Sequence, residues 1–197
     1  MPAITAPLIA AEIIRQAALY ENLLERRPNA EWDHPATPAA ERALSAQLTE
    51  CMESAGWQAP WPYCIAFAEG MLILALRRLG CQPWNYARPR QLITPHVMTT
   101  VRNLSGAHAL SATPVPGSIW LARHGNSDLG HAGIVIHSAG NGLMTTIEGN
   151  TTSTYKGAAK DRQGDGIFRR GRALTTNGDL RTMGFLTPDA ILRLLVL

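Results

Sequence analysis

Cys64, His131, Glu148 and Asn150 are the residues of this chain whose types and spacing could do chemistry. A cysteine in the first turn of a helix meets unpaired backbone N–H groups and the positive end of the helix dipole. Both favour the thiolate, which is the form that attacks a carbonyl carbon. The segment "WPYCIAFAEGMLILALRRLG" gives Cys64 that position, because a proline-stiffened approach runs directly into an apolar stretch. A buried structural cysteine has the same surroundings and is common. Cys51, on an apolar stripe, and Cys81, just after a helix stop, read only as structural.

The partners of such a thiolate come from "DLGHAGIVIHSAGNGLMTTIEGN", residues 128 to 150. With Gly140-Asn141 as a two-residue hairpin loop, position 133 faces 148 and position 131 faces 150. Side chains alternate along a strand, so His131, Glu148 and Asn150 then share one face at one end. Sliding the loop to Asn141-Gly142 keeps that face, whereas an odd-length loop breaks it. A histidine beside a carboxylate and an amide is a base with groups to orient it. A polar strand end facing water would show the same residues.

The elements that must hold these residues follow from periodicity. Residues 8–26 carry Ile9, Ile13, Ala17, Tyr20 and Leu24 at helical spacing, with Pro28 just beyond. A polar loop spans 29–36, and Thr37-Pro38 supplies an N-cap and a first-turn proline. Leu44, Leu48, Cys51 and Ala55 continue an apolar stripe to Gly56. Residues 65–79 are apolar on most sides, as in a buried central helix ending at Gly80, and another helix starts at Thr94-Pro95. After Pro116 the pattern changes. "GSIWLAR", "HAGIVIHS", "GLMTTIEG", "GIFRRGRAL" and "TMGFL" read as short strands between glycine-containing turns, and "TPDAILRLL" as a closing helix. Helices first and an antiparallel sheet second is an α+β arrangement. Residues 1–56 form a helical segment packed on a catalytic unit of 57–197, within one globular whole.

Composition narrows the class. The 197 residues are 46% hydrophobic and 17% charged, which fits a globular chain with a real core. A net charge of +3 is too weak to argue for nucleic-acid binding. Three cysteines leave at least one unpaired, so no disulfide framework is expected. No stretch of 18 apolar residues exists, so no membrane insertion is expected. "MPAITAPLIAAEIIRQ" lacks the basic start of a secretory signal, so the expectation is synthesis as a soluble cytoplasmic protein, with any action elsewhere depending on non-classical delivery.

Cysteine at a helix start followed by histidine on an antiparallel sheet is the chain order of papain-like enzymes. "WPYCIAFAEG" resembles the nucleophile segment of CHAP-type amidohydrolases, within the wider NlpC and papain-like superfamily. "PVPGSIWLARHG" followed by "GHAGIVIHS", "TTIEGNT" and "GDGIFRRGRAL" resemble that family's further strands, in the family's order, so the likeness runs from about Trp57 to Leu186. The resemblance implies a papain-like α+β fold and a peptidoglycan hydrolase that cuts an N-acetylmuramoyl-L-alanine amide or a stem or cross-bridge peptide bond, as phage lysins and antibacterial effectors do. It implies Cys64 as nucleophile, His131 as base, Glu148 as the group orienting the imidazole and Asn150 as an accessory polar group. The partner is then peptidoglycan or a peptide, joined by an inhibitor or immunity protein if the chain is a secreted effector. The site of action would be the cell wall or periplasm.

A second oxyanion donor is open between Gln58, six residues before Cys64, and Tyr63, its neighbour; a loop residue and a packing aromatic would look the same. Trp57, Trp61 and Gly130 are candidates for binding substrate, although tryptophans more often fill cores. Some CHAP enzymes carry an aspartate-rich calcium loop before the cysteine. Here the nearest upstream acidic residues, Glu50 and Glu53, fall on a helix. His124, His131 and His137 with Asp128 lack the H-E-x-x-H spacing of zinc sites, so neither metal nor cofactor is expected. His137 shares a face with His131 on the alternation above. The basic run Lys156, Lys160, Arg162, Arg169, Arg170 and Arg172 reads as a solvated face, or as a surface attracted to anionic wall polymer. Two other functions compete: a papain-like protease, deamidase or acyltransferase toxin with a non-wall substrate, and a catalytically inactive binding module on the same fold.

Overall fold

The computed structural model describes residues 3–25, 39–152 and 166–195. The Thr37-Pro38 cap, the loop 29–36, Pro28, His34, Lys156, Lys160 and Arg162 lie outside the described residues. The architecture is α+β, with six helices and a seven-stranded antiparallel sheet in the described residues.

Helix α1, Ala6–Leu19, opens behind Thr5 and carries a proline in its first turn. It buries Ile9, Ile13 and Ala17, the stripe that the sequence showed. It stops well short of residue 26. Asn22 takes a left-handed φ of 72°, and the next residues leave the helix to lie along a strand edge, where the Asn22 N–H donates to Ile167 and the Ile167 N–H to Leu23. That edge pairing satisfies backbone groups that another helical turn would have satisfied, so Leu24 ends up exposed instead of on the stripe.

Helix α2, Ala39–Ser54, and α3, Cys64–Arg78, pack on each other, and α1 packs on α3. Of the 15 residues of α3, nearly all from Cys64 to Leu76 are buried, which explains an apolar pattern on most of its sides. Gly80, at φ 86°, ends the turn that follows. A short helix, α4, Ala87–Leu92, was not legible in the sequence. Helix α5, Val97–Gly106, begins later than Thr94-Pro95. Its N-cap is His96, whose Nδ1 accepts the Thr99 N–H at 3.3 Å.

The strands are β1 Leu110–Ser111, β2 Ile119–His124, β3 Gly130–Ser138, β4 Leu143–Thr151, β5 Gly166–Ala173, β6 Thr176–Asn177 and β7 Leu180–Leu186, followed by α6, Pro188–Leu194. The sheet order is β1-β7-β2-β3-β4-β5, with β6 paired to β7. The five longer strands match those read from the sequence; β1 and β6, two residues each, have no periodicity to find.

Alternation sorts the sheet into two faces. Leu121, Ala132, Ile134, Ile147 and Ile167 join the helices in the main core, while Trp120, Ala122, Val135, Met144, Leu180 and Phe185 form a second cluster. Because α1 and α3 bury their stripes in the same core, residues 3–25 are part of the one packed unit.

Candidate active site

The β3–β4 hairpin does not have a two-residue loop. The Ala139 N–H donates to Leu143 O, leaving Gly140, Asn141 and Gly142 as a three-residue loop. Near the turn Ser138 pairs with Met144 and His137 with Thr145. The ladder then slips, so that Val135 pairs with Thr146 and Ile134 with Ile147, leaving Ile136 as the extra residue of a β-bulge. The odd loop by itself would have sent His131 and Glu148 to opposite faces. The bulge adds the compensating residue and restores the expected register below it. The same bulge turns His137, the partner of Thr145, to the side away from His131, so the two do not share a face.

His131 and Glu148 consequently meet. His131 Nε2 lies 2.8 Å from Glu148 Oε2, with the histidine 7% exposed and the carboxylate fully buried. Glu148 also accepts from the Thr146 hydroxyl, and from Arg172 through Nε at 2.8 Å and Nη2 at 2.5 Å. Burial alone would raise the Glu148 pKa, but the Arg172 hydrogen bonds and the His131 charge hold it well below the carboxylate range. Burial alone would lower the His131 pKa; the Glu148 charge, a hydrogen bond with Cys64 and the bond to Glu148 raise it well above 6.5.

Cys64 is the first residue of α3 and lines the same cleft as His131. Phe67 makes the first intrahelical bond, to Tyr63 O at 2.8 Å, so the N–H groups of residues 64 to 66 have no acceptor within the helix. With Nε2 taken by Glu148, Nδ1 is the imidazole nitrogen left for Cys64. A thiol, an imidazole and a carboxylate in this sequence can generate a thiolate and move a proton to and from a bound substrate.

The cleft encloses about 810 Å3. Its lining includes Cys64, His131, Asn150 and Arg172, the exposed Leu129, and a second histidine–carboxylate contact, His124 Nδ1 to Asp179 Oδ2 at 3.0 Å. Among the described residues no three His, Cys, Asp or Glu side chains cluster to hold a metal.

The remaining candidates divide. Asn150 reaches the cleft, but it takes a left-handed φ of 53° and the β4–β5 ladder slips there, so simple alternation stops at Glu148. Its Oδ1 is buried without a hydrogen-bond partner among the described residues, and its backbone N–H approaches the Tyr63 hydroxyl. Tyr63 is fully buried, with its hydroxyl facing Glu25 and Asn150, so it cannot meet an oxyanion in the cleft. Gln58 is exposed in the turn before α3 and is not part of the cleft lining; its carbonyl accepts the Trp61 N–H. Trp57 is 3% exposed in the core, its indole donating to Trp61 O at 2.7 Å, so it is packing and not groove. Trp61 is 46% exposed and adjoins Pro62, a cleft residue. Gly130 lines the cleft, and a Cβ there would stand 2.7 Å from both Val97 Cβ and the Ala122 carbonyl, so glycine serves the fit of α5 against β3.

Sequence reasoning missed Arg172. Within the basic run, Arg169 clasps Glu21 and Arg172 holds Glu148, so these two charges are paired within the fold, whereas Arg170 donates to Thr152 O, a neutral acceptor. Arg172 pairs with Met144, which puts it on the face of Thr146 and Glu148. That parity depends on the β4–β5 register, which a long connection leaves unfixed in the sequence. No protein-family model and no curated protein matches this chain.

Proposed function

We propose that the chain is a cysteine amidohydrolase of the CHAP and NlpC, papain-like type, acting on an amide bond of peptidoglycan through a thioester acyl-enzyme. The observation that supports this reading is Cys64 at a helix N-terminus sharing a cleft with a buried His131–Glu148 pair. Helix before antiparallel sheet, with cysteine on the first and histidine on the second, is also the papain-like order.

On this reading the Cys64 thiolate attacks the amide carbon. The developing oxyanion is met by backbone N–H groups of the first turn of α3. His131 gives its proton to the leaving amine as the carbon–nitrogen bond breaks, leaving a thioester on Cys64. The neutral imidazole then takes a proton from water, the hydroxide attacks the thioester, and the thiolate and imidazolium return with release of the carboxylic acid. Glu148 holds the imidazole in one orientation throughout. The place of action is the cell wall or periplasm.

The test is digestion of isolated peptidoglycan of several chemotypes by the protein and by Cys64→Ala, followed by mass spectrometry of new amine ends. Fragments from the wild type alone, absent with Cys64→Ala, are expected and identify the bond. No fragments from any wall would remove the peptidoglycan reading and favour a toxin with another substrate or an inactive module.

A further inference from the structure

We propose that Arg172 is a positioning residue for the His131–Glu148 pair: it balances the buried Glu148 charge so that His131 can lose and regain a proton, and so sets the pH range in which Cys64 reacts. This deepens, and rests on, the cysteine-hydrolase reading above.

Four side chains form a closed ring. Arg172 bonds both Glu148 oxygens, at 2.8 and 2.5 Å, and Glu148 bonds His131. The Trp120 ring stands edge-on to His131, with centroids 6.0 Å apart. The Arg172 guanidinium carbon lies 5.5 Å from the centroid of that same indole. Trp120 is itself fixed, fully buried with its N–H on Thr182 Oγ1 at 3.0 Å. The Arg172 side chain is only 12% exposed, so its charge acts through little water.

Acyl transfer requires His131 to alternate between imidazolium and imidazole. Were Glu148 paired with His131 alone, each loss of the imidazole proton would leave a buried carboxylate without a counter-charge, which opposes that loss. Arg172 removes that opposition, because Glu148 keeps a cationic partner whichever form His131 takes. Glu148 is faced by His131 from β3, Arg172 from β5 and the Thr146 hydroxyl on its own strand; His131 is faced by Glu148, by Cys64 from α3 and by uncharged Trp120 from β2. His124 with Asp179 is a further histidine–carboxylate contact in the cleft lining.

The sign follows. Without the Arg172 charge the site is more negative, so every proton on it is held more tightly. Both protonation steps of the His131–Glu148 pair move to higher pH, and the rise in Cys64 reactivity, which depends on His131 beside it, moves with them. A lysine keeps the charge but not the two parallel bonds.

The experiment follows the rate of Cys64 alkylation by iodoacetamide against pH, read by mass spectrometry of the Cys64 peptide. It compares wild type, Arg172→Gln, Arg172→Lys and Arg169→Gln, with thermal unfolding as the check on folding. Arg172→Gln is expected to move the rise in reactivity to higher pH by about one unit or more. Arg172→Lys and Arg169→Gln are expected to stay at the wild-type position. A folded Arg172→Gln with an unmoved profile overturns the proposal, as does an Arg172→Lys displaced as far as Arg172→Gln. If Arg172→Gln does not fold, the position of the lysine profile decides alone. If Cys64 reacts no faster than a denatured-chain cysteine in any variant, the hydrolase reading fails separately. The imidazole titration of His131, followed by NMR on histidine-labelled protein, then decides the role of Arg172: its last proton leaves at higher pH in Arg172→Gln if the proposal holds, and at the wild-type pH if it does not.

Discussion

Glu148 reaches His131 by lying across Gly133: a Cβ at position 133 would stand 2.6 Å from Glu148 Cγ. The carboxylate is held at its far end by His131 and Arg172, so its stem has no free direction in which to yield. Gly133→Ala is therefore expected to displace the carboxylate from His131 and reduce the proposed hydrolysis roughly ten- to hundredfold, with the fold retained. Gly149→Ala should act differently. A Cβ there would meet Phe67 Cβ at 2.8 Å and Tyr63 Cε2 at 2.9 Å, prising β4 off α3, so stability falls along with activity. Turnover and melting temperature measured together separate the two. Wild-type turnover in Gly133→Ala would mean that the observed placement of Glu148 is not required.

The three cysteines should differ sharply toward an alkylating agent. Cys51 is buried, its thiol donates to the Gly70 carbonyl at 3.1 Å, and burial pushes its pKa up to about 12. Burial also raises the Cys81 thiol. Cys64 alone of the three lines the cleft. Brief treatment with iodoacetamide at pH 7 is expected to modify Cys64 and leave the other two intact, with activity lost in proportion. Labelling of Cys51 or Cys81 first would contradict the assignment of the nucleophile.

Most of the fold was legible because its longer elements carry their own periodicity. The stripe Ile9, Ile13, Ala17 and the all-apolar face of α3 announce helices whatever surrounds them. The meeting of His131 with Glu148 was legible for a less direct reason. Gly140-Asn141-Gly142 reads equally as a two- or a three-residue loop, and nothing in Ile136 marks a bulge; the two departures cancel in the register. The end of α1 was illegible because the competing partner of residues 22–24 is β5, more than a hundred residues away. The Arg172 contact was hidden by the same cause. Trp57 looked like a substrate-binding residue and Tyr63 like an oxyanion donor, because an aromatic ahead of a cysteine has the same sequence whether it faces in or out.

Glu148→Gln should change both activity and the pH dependence of stability. In the folded protein the Glu148 pKa is held below its ordinary 4.5, so its contribution is complete above about 4.5 and is lost as pH falls. His131 is raised above its ordinary 6.5, so its contribution is complete below about 6.5 and is lost as pH rises through the folded value. The pair thus stabilises most between those two limits. Glu148→Gln leaves the part-buried Arg172 without its counter-charge, at a cost of about 2–3 kcal/mol after solvent screening, largest inside that window. Urea unfolding at intervals from pH 3 to 9 measures it. A difference from wild type that stays constant with pH would show that the pair is not charged in the folded protein.

Glu69 gives a slope opposite to that of Glu148, from elsewhere in the molecule. It sits on α3 with its side chain 3% exposed, and the nearest cation is Arg90, whose Nε is 4.0 Å away and which also donates to the Ser54 carbonyl. Burial pushes its pKa up to about 8, against the pull of Arg90. The unfolded chain releases this proton near pH 4.5 and the folded chain only near 8, so Glu69 lowers stability progressively as pH rises between those values. Glutamine has the shape of the protonated acid without the ionisation. Glu69→Gln is expected to be close to neutral at pH 5 and stabilising by about 2–4 kcal/mol at pH 8, at one pKa unit to about 1.4 kcal/mol. The proposed hydrolysis should be unaffected, because Glu69 lies outside the cleft lining. Equal unfolding free energies for wild type and variant at pH 8 would mean that Glu69 is ionised in the fold with Arg90 as an adequate partner.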